Sequence, residues 1–198
     1  MIIWISGVGA VGKSTTTNLL KEKLHTPYSE VYEGDAHRYT SKNGYKIPFS
    51  TYGKVMVLGR TGKNVLYGTD GVMIGLSKVQ DFLHNEYFKW KSIFTPHIII
   101  EGHKYISKSE MHDFLIKEKM KYKMYYLHAP RNVLTKRSKK RANGWDKKTR
   151  TESLIDKQIQ EYEKVIKKYK DNIVIRESTS VQKCQEISNE IFKELNLT

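Results

Sequence analysis

One stretch near the start of the chain constrains the fold more than any other: residues 7–14, Gly-Val-Gly-Ala-Val-Gly-Lys-Ser, fit the pattern G-x-x-x-x-G-K-S. An apolar run over residues 2–5 precedes it, and a segment with helical apolar spacing over 13–24 follows it. Glycines let phosphate oxygens approach the backbone and allow positive φ angles. A helix that begins directly after the loop adds partial positive charge. The pattern therefore predicts a strand, a phosphate-binding loop and a helix.

The residue types in this loop assign individual roles. We expect the Lys13 ammonium to neutralise the β- and γ-phosphates of ATP, and the Ser14 hydroxyl to bind Mg²⁺. The residues expected to contact the nucleotide are Gly7, Gly9, Ala10, Val11, Gly12, Lys13, Ser14 and Thr15.

The rest of the chain alternates predicted strands and helices, which is typical of a parallel α/β sheet with right-handed crossovers. We predict strands over 2–6, 30–33, 97–101, 120–127 and 173–175, and helices over 13–24, 77–94, 131–141, 152–169 and 181–195. Another helix is expected to be capped by Ser107 with Glu110, and the helix over 77–94 by Ser77 with Gln80. A hairpin insertion, within about 52–71, pairs 52–58 with 64–67 around residues 60–63. We predict one domain over 1–198, with helices on both faces of the sheet.

This order of elements resembles the P-loop nucleoside and nucleotide kinase superfamily, in which the loop just described is the Walker A motif. The resemblance implies Mg²⁺-dependent transfer of the γ-phosphoryl group of ATP. GTPases are disfavoured because the sequence lacks an N-K-x-D signature. Glu101 ends the strand over 97–101 and falls at the Walker B position, near Mg²⁺; a capping or surface Glu is the alternative. Residues 101–103 read Glu-Gly-His, where thymidylate kinases carry Asp-Arg and deoxynucleoside kinases carry Glu-Arg-Ser or Asp-Arg-Ser, and this departure disfavours both assignments.

A candidate acceptor site follows the second predicted strand, at residues 34–38 (Gly-Asp-Ala-His-Arg). Ligands bind at the carboxyl ends of strands in such sheets, and a carboxylate there can accept a proton from an attacking hydroxyl. The stretch resembles the G-D-x-x-R of P-loop kinases that phosphorylate alcohols, such as adenylylsulfate kinases. The resemblance implies that Asp35 is the base and that Arg38 holds an acceptor phosphate. Alternatively, Asp35 is the N-cap of a helix.

A second acceptor motif combines residues 58–60 (Leu-Gly-Arg) with residues 67–71 (Tyr-Gly-Thr-Asp-Gly). An L-G-R/K stretch followed by G-T-D resembles the phage kinases that phosphorylate 5-hydroxymethyluracil within DNA. The resemblance implies that Arg60, Tyr67 and Asp70 shape the acceptor pocket. The alternative is a glycine-rich turn in which Asp70 bonds its own backbone.

A basic helix over 131–141 occupies the position of the lid of related kinases, which we place at about 131–150. Arg137 and Arg141 are four residues apart and share a helix face. By that resemblance they reach the transferring phosphates, where charge placement supplies most of the catalysis; a solvated basic face is the alternative. The loop over 176–180 is expected to contact adenine, mainly through its backbone.

Positive charge is concentrated around this lid. The net charge is +14, and residues 117–170 carry 18 Lys or Arg against 6 Asp or Glu, a net of +12. Such density attracts polyanions, so DNA, as modified duplex, is the expected partner; a generally Lys-rich surface is the alternative. The leading interpretation is a kinase of the hydroxymethyl group of a modified pyrimidine in DNA. A kinase of free nucleosides or nucleoside monophosphates, a polynucleotide end kinase and a non-kinase nucleic-acid-binding ATPase remain open.

The amino-acid composition indicates the cellular setting of the protein and its relation to membranes. Cys184 is the single cysteine, so no disulfide can form within the chain, and a reducing, cytoplasmic setting is expected, including that of a phage protein in its host. The mean hydropathy is −0.60, and no apolar run approaches the ~18 residues of a membrane-spanning helix. We therefore expect no membrane association. We assign no role to Cys184, and the oligomeric state stays open.

Overall fold

The computed structural model describes residues 1–25, 31–32, 38–40, 46–58, 75–91, 97–142 and 152–196, with the backbone alone at 31–32, 38–40, 46–48, 86–91 and 141–142. The strands are β1 Ile2–Gly7, β2 Val31–Tyr32, β3 Arg38–Thr40, β4 Lys46–Tyr52, β5 Val55–Leu58, β6 His97–Glu101, β7 Tyr122–His128 and β8 Ile173–Glu177. The helices are α1 Lys13–His25, α2 Leu76–Lys91, α3 Ser109–Lys117, α4 Arg131–Ala142, α5 Glu152–Lys168 and α6 Val181–Glu194, with a 3₁₀ turn at Lys170–Asn172. No helix within these ranges is long and apolar enough to cross a bilayer.

The centre of the sheet is a run of parallel strands in the order β5-β6-β1-β7-β8. Residues 2–5 of β1 and 98–100 of β6 are almost fully buried, because helices cover both faces of the sheet. The parallel register sets Ile5 beside Glu101 and Gly7 beside Leu127, so the strands end together at one edge. The predicted α/β class is confirmed, and this edge is where the loop over 7–14 emerges.

The hairpin insertion differs from the prediction. β4 and β5 are antiparallel, with Tyr52 opposite Val55 and a tight turn at Gly53-Lys54 in which Gly53 has a φ of +55°. The prediction treated 52–58 as one strand and placed the turn at 60–63; residues 59–74 lie outside the described part of the chain. A glycine that enters the left-handed region lets a two-residue turn match the twist of its strands. The glycine itself was the available signal for that turn, and the prediction preferred the later glycine-containing segment at 60–63.

Helix starts also correct two predictions. Ser77 lies inside α2, which begins at Leu76, so it is not an N-cap. α3 begins two residues after Ser107, and its N-cap is Lys108, which makes no side-chain capping bond. At α6, by contrast, the Ser180 hydroxyl accepts a hydrogen bond from the Lys183 N–H at 3.1 Å, which satisfies one of the unpaired amides of the first turn.

Candidate phosphate-binding site

The predicted strand, loop and helix are confirmed: β1 ends at Gly7 and α1 begins at Lys13. Three loop residues have positive φ angles, Gly7 at +141°, Ala10 at +67° and Gly12 at +108°. Backbone in these conformations turns successive N–H groups toward the concave side of a loop, where they bind anions.

Gly7 and Gly12 also have a packing role that the sequence pattern did not reveal. A Cβ at Gly7 would lie 2.3 Å from the Leu127 carbonyl oxygen of β7. A Cβ at Gly12 would lie 2.7 Å from the Ser178 hydroxyl and 3.1 Å from the Cys184 sulfur. The loop is therefore pressed against β7 on one side and against the loop after β8 and α6 on the other. Cys184, to which the sequence assigned no role, is part of this buried support.

Lys13 is buried, and its ammonium is bound by the loop itself. Its Nζ donates to the carbonyl oxygens of Gly7 at 2.9 Å and Val8 at 3.2 Å. A buried ammonium needs such partners to offset the loss of water. These two bonds fold the side chain back across the loop, which fixes a positive charge beside the phosphate-binding amides.

The two predicted metal ligands lie together. The Ser14 hydroxyl donates to Glu101 Oε1 at 2.7 Å, and Glu101 is only 6% exposed at the end of β6. A hydroxyl and a carboxylate are oxygen ligands of the kind that Mg²⁺ takes. Within the described residues no group of three or more His, Cys, Asp or Glu could hold an ion. The Ser14 and Glu101 oxygens fit Mg²⁺, because this ion is commonly bound through one or two protein ligands together with waters and substrate phosphates.

Tyr162 of α5 supports the first residue of the loop. Its hydroxyl accepts a bond from the Gly7 N–H at 3.1 Å and lies 2.5 Å from Ser6 Oγ. Ser6 in turn donates to the carbonyl oxygen of Gly102, directly after β6, at 2.6 Å. This buried chain ties α5, β1 and the end of β6 together. Sequence reasoning missed Tyr162, although a tyrosine on the apolar stripe of a helix predicts a buried hydroxyl that needs a partner.

Gln158, one helical turn before Tyr162, bonds the loop at a second point. Its Oε1 accepts from the Gly9 N–H at 3.0 Å, and its Nε2 lies 3.2 Å from His103 Nε2. Residues four apart on a helix share a face, so α5 holds two loop amides with two neighbouring side chains. Sequence reasoning missed this residue as well; its spacing from Tyr162 was the available signal.

Arg137 of α4 binds backbone carbonyls. Its guanidinium donates to the oxygens of Ser178 at 2.9 Å and Thr179 at 2.7 Å, with longer contacts to Ala10 at 3.5 Å and Val11 at 3.4 Å. It therefore connects the lid helix, the loop after β8 and the phosphate-binding loop. Its contact with transferring phosphates stays a prediction. Arg141 lies in α4, and its side chain is outside the described part.

The loop after β8 packs against the phosphate-binding loop, and its predicted contact with adenine stays a prediction. Besides the carbonyls that bind Arg137, the Ser178 hydroxyl lies 3.2 Å from Cys184 Sγ and limits the space at Gly12. Ser178 is fully buried. Side-chain identity at this position is therefore constrained by packing against the phosphate-binding loop.

The predicted acceptor residues fall outside what the structure describes, apart from the backbone of Arg38. Asp35, Arg60, Tyr67 and Asp70 lie outside the described residues, and only the backbone of Arg38, in β3, is described. β2, which precedes Asp35, pairs with β4 at the outer edge of the sheet. The strands β4, β5 and β6 stand between β2 and β1, a separation of about 19 Å at ~4.8 Å per strand. The acceptor roles stay predictions.

The basic surface of the lid helix borders a shallow groove. Its volume is about 590 Å³, and it is lined by Arg131, Asn132, Thr135, Lys136, Lys139 and Glu152. Arg131 makes a two-bond contact with Asp156, at 2.8 and 2.9 Å, which lowers the pKa of that carboxyl. Lys136, Lys139 and Lys140 are exposed and carry the positive charge of this surface.

Comparison with known proteins identifies the fold. No family model and no curated protein matches the chain. Among solved structures, the tunicamycin resistance protein of Deinococcus radiodurans aligns over all of this chain and 96% of its own, with 16% identity and a TM-score of 0.53. A Sinorhizobium meliloti gluconokinase aligns over 98% of this chain and 94% of its own (16% identity, TM-score 0.48). A Bacteroides thetaiotaomicron shikimate kinase aligns over 100% and 99% (13% identity, TM-score 0.46).

The strand-loop-helix geometry and the parallel sheet define an α/β P-loop protein. At 16% identity the likeness to the tunicamycin resistance protein shows the fold alone.

Proposed function

We propose that this chain is an ATP-dependent kinase that transfers the γ-phosphoryl group to a hydroxyl. The observation that carries the proposal is the meeting of a buried cation, Lys13, with the oxygen pair Ser14 and Glu101, 2.7 Å apart, around one loop of positive-φ backbone. A bound nucleoside triphosphate needs backbone amides for its phosphate oxygens, a cation for its negative charge and oxygen ligands for its Mg²⁺, and the loop supplies these three features.

The chemistry requires charge placement more than covalent help. Loop amides and Lys13 bind the β- and γ-phosphate oxygens and stabilise the charge that grows there as the γ-phosphorus–oxygen bond breaks. Mg²⁺ held by Ser14 and Glu101 would add positive charge to the same oxygens. The acceptor oxygen bonds the phosphorus, ADP leaves, and we propose that Asp35 takes the hydroxyl proton, with Arg38, Arg137 and Arg141 binding phosphate charge.

For the acceptor we propose the hydroxymethyl group of a modified pyrimidine, 5-hydroxymethyluracil, in DNA. Two features support it. The motifs with Arg60, Tyr67 and Asp70 resemble those of the phage kinases of this base. The exposed lysines of α4 lie on the helix whose Arg137 touches the phosphate-binding loop, so a polyanion bound there would be adjacent to the nucleotide. A base in duplex DNA must leave the stack before phosphorylation.

The test is transfer of labelled γ-phosphate from ATP to defined acceptors: duplex DNA with 5-hydroxymethyluracil, unmodified duplex, strand ends and free nucleotides, each at low and high salt. Label on internal modified bases that falls as salt rises would support the full proposal. Label only on free nucleosides or nucleotides, or only on strand ends, would overturn the DNA-base acceptor and keep the kinase. Release of inorganic phosphate without labelled acceptor would overturn the kinase.

Two variants separate the site from the surface. Lys13→Ala removes the loop cation and should abolish transfer to every acceptor, whereas Lys117→Ala removes an exposed lysine at the end of α3 and should not. Replacing Lys136, Lys139 and Lys140 with glutamate should weaken transfer to DNA and flatten its salt dependence while sparing a free-nucleotide acceptor. Equal loss with both acceptors would contradict a DNA-binding role for α4.

A further inference from the structure

The Gly9 amide has an unusual partner for a group in a phosphate-binding loop. It donates to Gln158 Oε1 at 3.0 Å, an oxygen supplied by α5, 149 residues away in the chain. Gly9 is the third residue of the G-x-x-x-x-G-K-S motif, inside the segment whose amides bind phosphate oxygens. A backbone N–H carries one hydrogen, so a phosphate oxygen aligned with it competes directly with the carboxamide oxygen.

The carboxamide of Gln158 is held from both ends. Its Oε1 accepts from Gly9, and its Nε2 faces His103 Nε2 at 3.2 Å, so the ring nitrogen accepts and the NH₂ group donates. His103 follows Glu101 by two residues, and Glu101 bonds Ser14. Gln158 thus bridges the phosphate-binding loop and the segment that follows the candidate metal ligand, the two parts of the site that a γ-phosphate must contact.

We propose that Gln158 determines the specificity of the site for a triphosphate, and this inference rests on the proposed function. With no γ-phosphate present, Gln158 Oε1 bonds the Gly9 N–H. A γ-phosphate oxygen replaces Oε1 on that amide, and the carboxamide turns its NH₂ group to the same phosphate. Phosphate oxygens only accept, so the donor end is the end of a carboxamide that can face them. ADP lacks this group and leaves Gln158 on the loop.

Three variants test the inference, with dissociation constants for Mg·ATP and Mg·ADP measured by calorimetric titration. Gln158→Ala removes the donor and should lower the ratio of ATP to ADP affinity about tenfold, the size expected for a hydrogen bond to a charged group. Gln158→Glu keeps the shape and the acceptor but places a carboxylate beside the γ-phosphate, and should lower the ratio further. Gln160→Glu makes the same chemical change at an exposed position two residues along α5 and should leave the ratio unchanged.

The results distinguish this inference from the proposed function. Wild-type protein that binds neither nucleotide would overturn both. Wild-type protein that binds nucleotide, with Gln158 variants that weaken ATP and ADP equally, would show a purely structural role and overturn the inference alone. The same holds if Gln158→Glu matches Gln160→Glu. Melting temperatures of all three variants establish that each is folded under the titration conditions.

Discussion

The hydroxyl of Tyr162 offers a sharp test of how α5 supports the phosphate-binding loop. Ser6 donates its one hydroxyl proton to the Gly102 carbonyl at 2.6 Å, so we expect the Tyr162 hydroxyl to be the donor in its contact with Ser6 Oγ. Tyr162 then accepts from the Gly7 N–H at 3.1 Å. Tyr162→Phe keeps the buried ring and removes both bonds, together with a longer contact of 3.5 Å to the Gly7 carbonyl oxygen.

The expected loss of stability depends on which hydrogen bonds each group keeps after the change. Ser6 keeps its bond to Gly102, so the lost bond between the two hydroxyls costs about 0.5–1.5 kcal/mol. The N–H of Gly7, a buried residue, loses the acceptor that Tyr162 supplies, which costs about 1–3 kcal/mol. We expect the free energy of unfolding to fall by about 2–4 kcal/mol. For a chain of this size the melting temperature should fall by roughly 5–15 °C.

The assay is urea unfolding followed by circular dichroism, with Tyr125→Phe as the matched control. Tyr125 lies in β7 and is as buried as Tyr162, but its hydroxyl makes only a long hydrogen bond of 3.4 Å to Glu194. When that bond is removed, Glu194 still accepts a hydrogen bond from Lys123 at 2.7 Å. The control should cost under about 1 kcal/mol. Because Ser6 and Tyr162 share a bond, Ser6→Ala combined with Tyr162→Phe should cost less than the sum of the two single changes.

Two results would refute this reasoning. One is a Tyr162→Phe protein within about 0.5 kcal/mol of the Tyr125→Phe control, since the Gly7 amide would then not depend on the hydroxyl. The other is full additivity with Ser6→Ala, which would mean that the two hydroxyls are not energetically coupled.

Three further changes have defined outcomes. Gly12→Ala places a methyl group 2.7 Å from Ser178 Oγ at a φ of +108°. Nucleotide titration should therefore show lost binding, and urea unfolding should show that the free energy of unfolding falls by more than about 1 kcal/mol. Unchanged nucleotide affinity would contradict this prediction. Arg137→Lys keeps the charge but not the fork that joins the Ser178 and Thr179 carbonyls, so nucleotide affinity should fall about tenfold; affinity equal to wild type would count against the bridge. Burial lowers the pKa of His112 from 6.5 to about 4. Between these pH values the unfolded chain binds a proton at His112 that the folded chain does not. The free energy of unfolding should therefore fall by about 3 kcal/mol as the pH drops from 6.5 to 4. His112→Gln should remove that part of the slope in urea unfolding at several pH values, and an unchanged slope would exclude it.

Local sequence accounts for much of the sheet and for the centre of the site. β6 was predicted with its observed limits, because a short run of β-branched residues between charged or polar neighbours is typical of a strand buried on both faces. Lys13, Ser14 and Glu101 were predicted because the motif fixes the first two and the end of a parallel strand fixes the third. Gly53 shows the limit of this reasoning, since the segments 53–54 and 60–63 both carry a glycine turn signal, and local sequence does not decide which of them closes the hairpin.

The sequence by itself determined that this chain forms a phosphate-binding loop between a strand and a helix, since eight consecutive residues carry the conformational freedom, the charge and the hydroxyl that such a loop requires. Only the tertiary structure decided what holds that loop. Tyr162 and Gln158 come from α5, about 150 residues downstream, and Arg137 reaches it from α4. Their roles depend on how helices pack against the sheet, and neither local propensity nor spacing within a segment contains that information.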